Sequence, residues 1–102
     1  MAVRSKSVTV SSPPLSLSVV LATFNERDNL GPMLEQLKTL LGQRYQLELI
    51  VVDDDSPDGT SELVRQLARR DPRIHLIRRV GRSGLSSAIR EGLLAAWAKW
   101  QW

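Results

Sequence analysis

Three polar segments interrupt a chain that is otherwise apolar and regularly patterned: Thr23–Asp28, Asp53–Thr60 and Arg79–Ser87. Each follows a short run of strand-forming residues. The middle segment is acidic, with Asp53, Asp54, Asp55 and Asp58; the last is basic and glycine-rich, with Arg79, Gly81, Arg82 and Gly84. Carboxylates can accept hydrogen bonds from a base or ribose, while cations and backbone N–H groups suit phosphates. A nucleoside diphosphate has both needs. Each acidic group also has a plainer reading. Asp53–Asp55 can be a solvated strand-end turn that caps a helix, and Glu26 can be a first-turn acid favoured by the helix dipole.

The elements between these segments decide whether they meet. Leu17, Val19, Val20 and Leu21 form a strand-type run, and Asn25–Asp28 supplies cap-forming residues. Leu30, Met33, Leu34, Leu37, Leu40 and Leu41 recur at helical spacing up to a stop at Gly42. Leu47–Val52 is nearly all apolar around Glu48, as in a parallel strand covered on both faces. Leu63, Val64, Leu67 and Ala68 mark a second helix, which Asp71-Pro72 ends because a residue before proline avoids the helical region. Ile74–Ile77 reads as a third strand, with His75 a packing or exposed residue. A third helix carries Leu85, Ala88, Ile89, Leu93, Ala96 and Trp97 on its apolar face. The order β-α-β-α-β-α predicts a three-layer α/β half-domain with a parallel sheet and right-handed crossovers. Ligands of such sheets bind at the carboxyl ends of the strands, where the three polar segments would converge.

Composition narrows the chemistry. At 102 residues there is room for one small domain. The absence of Cys and the presence of one His exclude disulfide frameworks, Cys-based zinc sites and two-His mechanisms. A net charge of +3 is too slight to indicate nucleic acid, and no aromatics interleave with Arg65, Arg69, Arg70, Arg73, Arg78, Arg79 and Arg82. That basic set reads as a solvated face, Arg82 excepted; the sharper alternative is attraction to anionic lipid. No apolar run approaches a bilayer span and none follows the basic N-terminus as in a signal peptide. The expectation is a cytoplasmic protein, at most peripheral to a membrane. Residues 1–14 are expected to be a flexible arm, leaving 15–102 as the domain. Trp100 and Trp102 read as exposed, as partner or membrane contacts, or as part of an abnormal tail left by truncation.

Three stretches together resemble family 2 glycosyltransferases of GT-A (Rossmann-like) fold. Val19–Glu26 is similar to the opening VVLPTYNE, Val51–Thr60 to VVDDxSPDGT, and Arg78–Ile89 to RxGKxGLGxAI. The SPDGT form resembles the branch of dolichyl-phosphate and polyprenyl-phosphate mannosyltransferases. Ala22 stands where Pro is usual, Phe24 where Tyr is common, and Ser86 where Gly is common. The resemblance implies a nucleotide-sugar site built from Ala22, Thr23, Phe24, Glu26, Asp53, Asp55, Arg82 and Gly84, with Asp53 accepting from the base. It implies GDP-mannose as donor, a polyprenyl-phosphate acceptor, and inverting displacement at the anomeric carbon. Mg²⁺ or Mn²⁺ is implied for the full-length family, held by a later Asp-x-Asp strand whose ligands this chain lacks. The expectation is therefore a truncated nucleotide-binding half with no catalytic residue of its own and little activity alone. The alternative is a non-catalytic nucleotide-binding or assembly fragment that completes its sheet with a partner.

Overall fold

The computed structural model describes residues 15–81 and 84–99. Its elements run β1 (Ser16–Thr23), α1 (Arg27–Leu41), β2 (Gln46–Asp53), α2 (Thr60–Arg70), β3 (Ile74–Arg78) and α3 (Leu85–Lys99). The three strands are parallel, with β2 central. Their ends are level: Thr23 pairs with Asp53, and Asp53 with Arg78. This alignment brings the segments that follow β1, β2 and β3 to one rim.

Alternation along β2 divides the core in two. Leu47, Leu49 and Val51 face α1 and α2, packing with Leu30, Leu34 and Val64. Ile50 and Val52 face α3, packing with Ala88 and Ala96. The molecule thus has three layers, two helices and one helix on either side of the sheet. Both faces of β2 are covered, which explains why its sequence is almost continuously apolar.

The inward stripes of two helices are narrower than their apolar residues suggested. On α1 the stripe is Leu30, Leu34, Leu37 and Leu41, whereas Met33 and Leu40 lie exposed beside it. On α3 the buried positions Ala88, Gly92 and Ala96 face the sheet, and Leu85, Ile89 and Leu93 are exposed. Bulky Val20, Ile50 and Val52 already fill that side, so a small-residue face lets the helix approach. A methyl group on Gly92 would stand 2.3 Å from a Val20 methyl. Trp97 packing, Trp100 and Trp102 lie outside the described residues, as does the arm at 1–14.

Polar contacts tie the layers at their lower end. Asp71 accepts from Lys38 Nζ at 3.1 Å and from Arg73 Nη2 at 2.9 Å, joining the end of α1 to the entry of β3. The bonded Arg73 guanidinium holds the Asp71 carboxyl well below the usual carboxylate range, against the opposing effect of burial. Glu48, buried on the α3 side, accepts from Ser18 Oγ at 2.9 Å and lies 3.1 Å from His75 Nε2. His75 is thus a cross-strand partner of Glu48, the charged residue within the apolar run of β2.

Candidate functional site

At the carboxyl ends of the strands a cavity of about 320 Å³ opens between the sheet and the start of α3. Ala22, Thr23 and Phe24 form its β1 side, Asp54 its β2 side, and Gly84, Leu85 and Ala88 its helical side. Its volume is at the small end of the range for ligand pockets. Phe24 is 56% exposed, so an aromatic face stands at the mouth with no packing role to account for it. Gly84 has φ 119°, a conformation that side-chain-bearing residues rarely adopt.

Asp53 and Asp54 part at the end of β2. Asp53 follows Val51 toward α1 and α2 and is fully buried. Its carboxylate accepts from Thr23 Oγ1 at 3.0 Å, Ser56 N–H at 3.0 Å, Ser56 Oγ at 2.6 Å and Ser61 Oγ at 2.7 Å. Four donors saturate a carboxylate held beside the N-terminus of α2, where the dipole favours negative charge. Asp54 follows Val52 toward α3 and reaches the cavity. The Arg79 guanidinium grips it at 2.7 Å and 3.0 Å, in the forked geometry that suits arginine and carboxylate. Arg79, 1% exposed, also donates to Ser87 Oγ at 2.9 Å and Gly84 O at 3.2 Å. Its backbone N–H donates to Asp53 O at 2.8 Å. One buried cation thereby fixes the end of β3, the Asp54 carboxylate and the first turn of α3.

The loops between strands and helices are pinned similarly. Asn25 and Asp55 both sit at positive φ, 56° and 54°, which short polar side chains tolerate best. Asp58 accepts from the N–H of Arg27 at 3.1 Å and of Thr60 at 3.0 Å, satisfying an N-terminal donor of both α1 and α2. The Thr60 hydroxyl, bonded to the Asp58 carboxyl, is the chief cause that holds it below its ordinary value. Asp55 is paired with Arg78 across the rim. Glu26 caps α1; its N–H donates to Thr60 Oγ1 at 3.2 Å and its carboxylate accepts from Asn29.

Of the residues singled out from the sequence, the structure gathers Ala22, Thr23, Phe24 and Gly84 around one cavity. It does not bring Glu26, Asp53 or Asp55 to that wall: Asp53 is enclosed on the opposite face, Glu26 bonds with Asn29 and Thr60, and Asp55 pairs with Arg78. Arg82 lies outside the described residues. Asp54, Leu85 and Ala88 are the additions to the lining, with Arg79 behind Asp54. Strand parity carried a signal for Asp54, since it shares a face with Ile50 and Val52 while Asp53 shares one with Leu49 and Val51. The sequence did not say which face holds the cavity.

A divalent cation would need several oxygen donors converging on one point. Asp53, Asp54 and Asp55 point in three directions, each toward its own donors. No group of three or more His, Cys, Asp or Glu is placed to hold a metal ion among the described residues. Asp53–Asp55 does not fit the metal implied by the resemblance.

The family model for "Glycosyl transferase family 2" matches residues 18–102, spanning both strand ends that form the cavity. The chain belongs to this family. A dolichol-phosphate mannosyltransferase of Pyrococcus furiosus is 40% identical over 82 residues, 80% of this chain and 23% of its own length. A polyprenol monophosphomannose synthase of Mycolicibacterium smegmatis is 39% identical, covering 72% of this chain and 27% of its own. Among solved structures, a mannosyltransferase of Pyrobaculum calidifontis, in complex with GDP-Man and Mn²⁺, matches with TM-score 0.58 and 30% identity. That match covers 82% of this chain and 25% of the other. The family 2 chain thus has the fold of a GT-A glycosyltransferase over its three strands and spans about a quarter of the length of these relatives. None of its helices is long and apolar enough to cross a membrane, among the described residues.

Proposed function

We propose that this chain forms the donor-nucleotide side of a family 2 glycosyltransferase that uses GDP-mannose and a polyprenyl-phosphate acceptor. The observation that carries the reading is the cavity: Phe24, Asp54 and the glycine-led start of α3 surround it at the carboxyl ends of β1 and β2. Phe24 offers a face for a purine to stack on. Asp54, held by Arg79, offers acceptor atoms to the N–H groups of guanine. The N-terminal turn of α3 directs N–H groups and dipole toward a phosphate. The Pyrobaculum protein holding GDP-Man supports guanine and mannose; the dolichol- and polyprenol-linked relatives support the lipid phosphate. Transfer needs a metal and an acceptor site, and we place both in polypeptide beyond this portion, so the chain alone has little or no transferase activity.

Calorimetric titration of the 102-residue chain with GDP, and with UDP for comparison, tests this. GDP should bind, UDP more weakly, and Mg²⁺ should change neither. Asp54→Asn should weaken GDP binding about tenfold, equivalent to about 1.4 kcal/mol, one good hydrogen-bond pairing. A folded chain that binds neither nucleotide would end the reading.

A further inference from the structure

Among the described residues the largest fully buried side chain is that of Arg79, a cation. Taking a charge out of water is costly unless it is paired and hydrogen-bonded. Arg79 lies behind the cavity wall, yet it joins the two sides of that wall. Its Nε and Nη2 donate to Asp54, on the β2 side. Nη2 also donates to Gly84 O, on the helical side. Nη1 donates to Ser87 Oγ, which donates in turn to Gly84 O at 3.1 Å.

Planarity makes this grip a spacer. The N–H donors of a guanidinium share one rigid plane, so pairing one edge with a carboxylate fixes where the remaining donors point. With Asp54 on that edge, the positions open to Gly84 O and Ser87 Oγ are set. Gly84 O also accepts from Ala88 N–H at 3.1 Å, closing the first turn of α3. No described peptide bond is cis, and in a trans peptide the next N–H points opposite to the carbonyl. Leu85 N–H is thereby turned away from Arg79 and out of the start of the helix. It is one of the first N–H groups of α3, which have no acceptor within the helix. Asp54 and this turn are the groups proposed to meet the base and the phosphates.

We propose that Arg79 is a positioning residue for the nucleoside diphosphate, setting the distance and direction between the Asp54 carboxylate and the first turn of α3 so that base and phosphates are recognised as one unit. The proposal rests on the nucleotide reading of the cavity. Lysine is no substitute, because its ammonium is a point charge on a flexible stem and has no fork to hold two walls in one plane. A tie that only stabilised the fold would leave the choice among nucleotides unchanged in the folded protein.

Calorimetric titration of the chain and of Arg79→Lys with GDP, IDP and GMP separates the two roles. IDP lacks the exocyclic amino group of guanine and reports on the Asp54 side. GMP lacks the second phosphate and reports on the α3 side. The wild-type chain should prefer GDP to each by about tenfold. In Arg79→Lys, under conditions where a urea melt shows it folded, both preferences should fall to about twofold or less. Unchanged preferences, or loss of one alone, overturn the proposal and leave the nucleotide reading standing. A wild-type chain that binds GDP without either preference overturns it as well. A folded wild-type chain that binds no GDP ends the nucleotide reading and the proposal together. Should Arg79→Lys fail to fold or bind too weakly to rank the nucleotides, Ser87→Ala decides. It removes one arm of the grip and leaves the Asp54 pair in place, so the preference for GDP over GMP should fall to about threefold while that over IDP is kept. Any other pattern in Ser87→Ala overturns the proposal.

Discussion

Asp53 and Asp54 leave the same strand end on opposite faces of one sheet, and their surroundings differ in what they permit. On the α1/α2 face, Asp53 is closed in by four neutral donors from three elements, with no solvent path. On the α3 face, Asp54 is gripped from below by the buried Arg79 and still borders a cavity. The first arrangement locks the loop after β2 to β1 and α2. The second presents a carboxylate. Two adjacent aspartates thus differ in setting, one holding the rim and the other bordering the cavity, because the side chains of a strand alternate between faces.

The largest expected effect breaks the closed side. Asp53→Ala strands the hydroxyls of Thr23 and Ser61 and should cost about 4 kcal/mol, much of the stability of a domain this size. A urea melt should show a strongly lowered midpoint, while Asp54→Asn, which keeps a partner for Arg79, should lose only about 1 kcal/mol. Equal losses would erase the distinction between the two faces. Next in size is Gly92→Ala, whose new methyl meets Val20 and Val52 and should destabilise by about 2 kcal/mol through overpacking. Loss of GDP binding in that variant, before loss of cooperative unfolding, would locate the damage on the cavity face.

Acid should act on the other layer. The Asp71 and Asp58 carboxyls are held below their ordinary 3.8 by Arg73 and Thr60 respectively. Their stabilisation is complete above that value and is lost as pH falls below it toward the folded pKa. The thermal midpoint should therefore drop between pH 5 and pH 2.5, and drop less in Asp71→Asn, which starts lower. A midpoint with equal acid dependence in both proteins would remove Asp71 as a cause. The smallest effect is Gly31→Ala on α1, where an added methyl meets nothing within 4 Å beyond its own helix backbone and chain neighbours but sits directly before Pro32. The helix-propensity gain is offset by crowding against the proline ring, so stability should change by less than about 0.5 kcal/mol in the same urea melt.

Much of this was legible beforehand. The element order and boundaries followed from apolar periodicity and from breakers such as Gly42 and Asp71-Pro72. Convergence of the polar segments followed from the parallel topology, which gathers Ala22, Thr23, Phe24 and Gly84 around the cavity. Helix faces were less legible. Leu85, Ile89 and Leu93 have the hydrophobicity of a core stripe, yet Ala88, Gly92 and Ala96 fit against a sheet already crowded with valine and isoleucine. Glu26, Asp53 and Asp55 carried the chemistry of a site, but the sequence did not show their hydrogen-bond partners: Asn29 for Glu26, Thr23, Ser56 and Ser61 for Asp53, and Arg78 for Asp55.

Local pattern determined the alternating elements, their caps and the parallel sheet, because periodicity and turn chemistry act over a few residues. Only the tertiary structure decided which of two neighbouring carboxylates meets the cavity, and that Arg79 lies buried beneath it. Those outcomes depend on donors brought together from 8 to 30 residues away, as in Ser61 to Asp53 and Thr23 to Asp53, which no local pattern encodes.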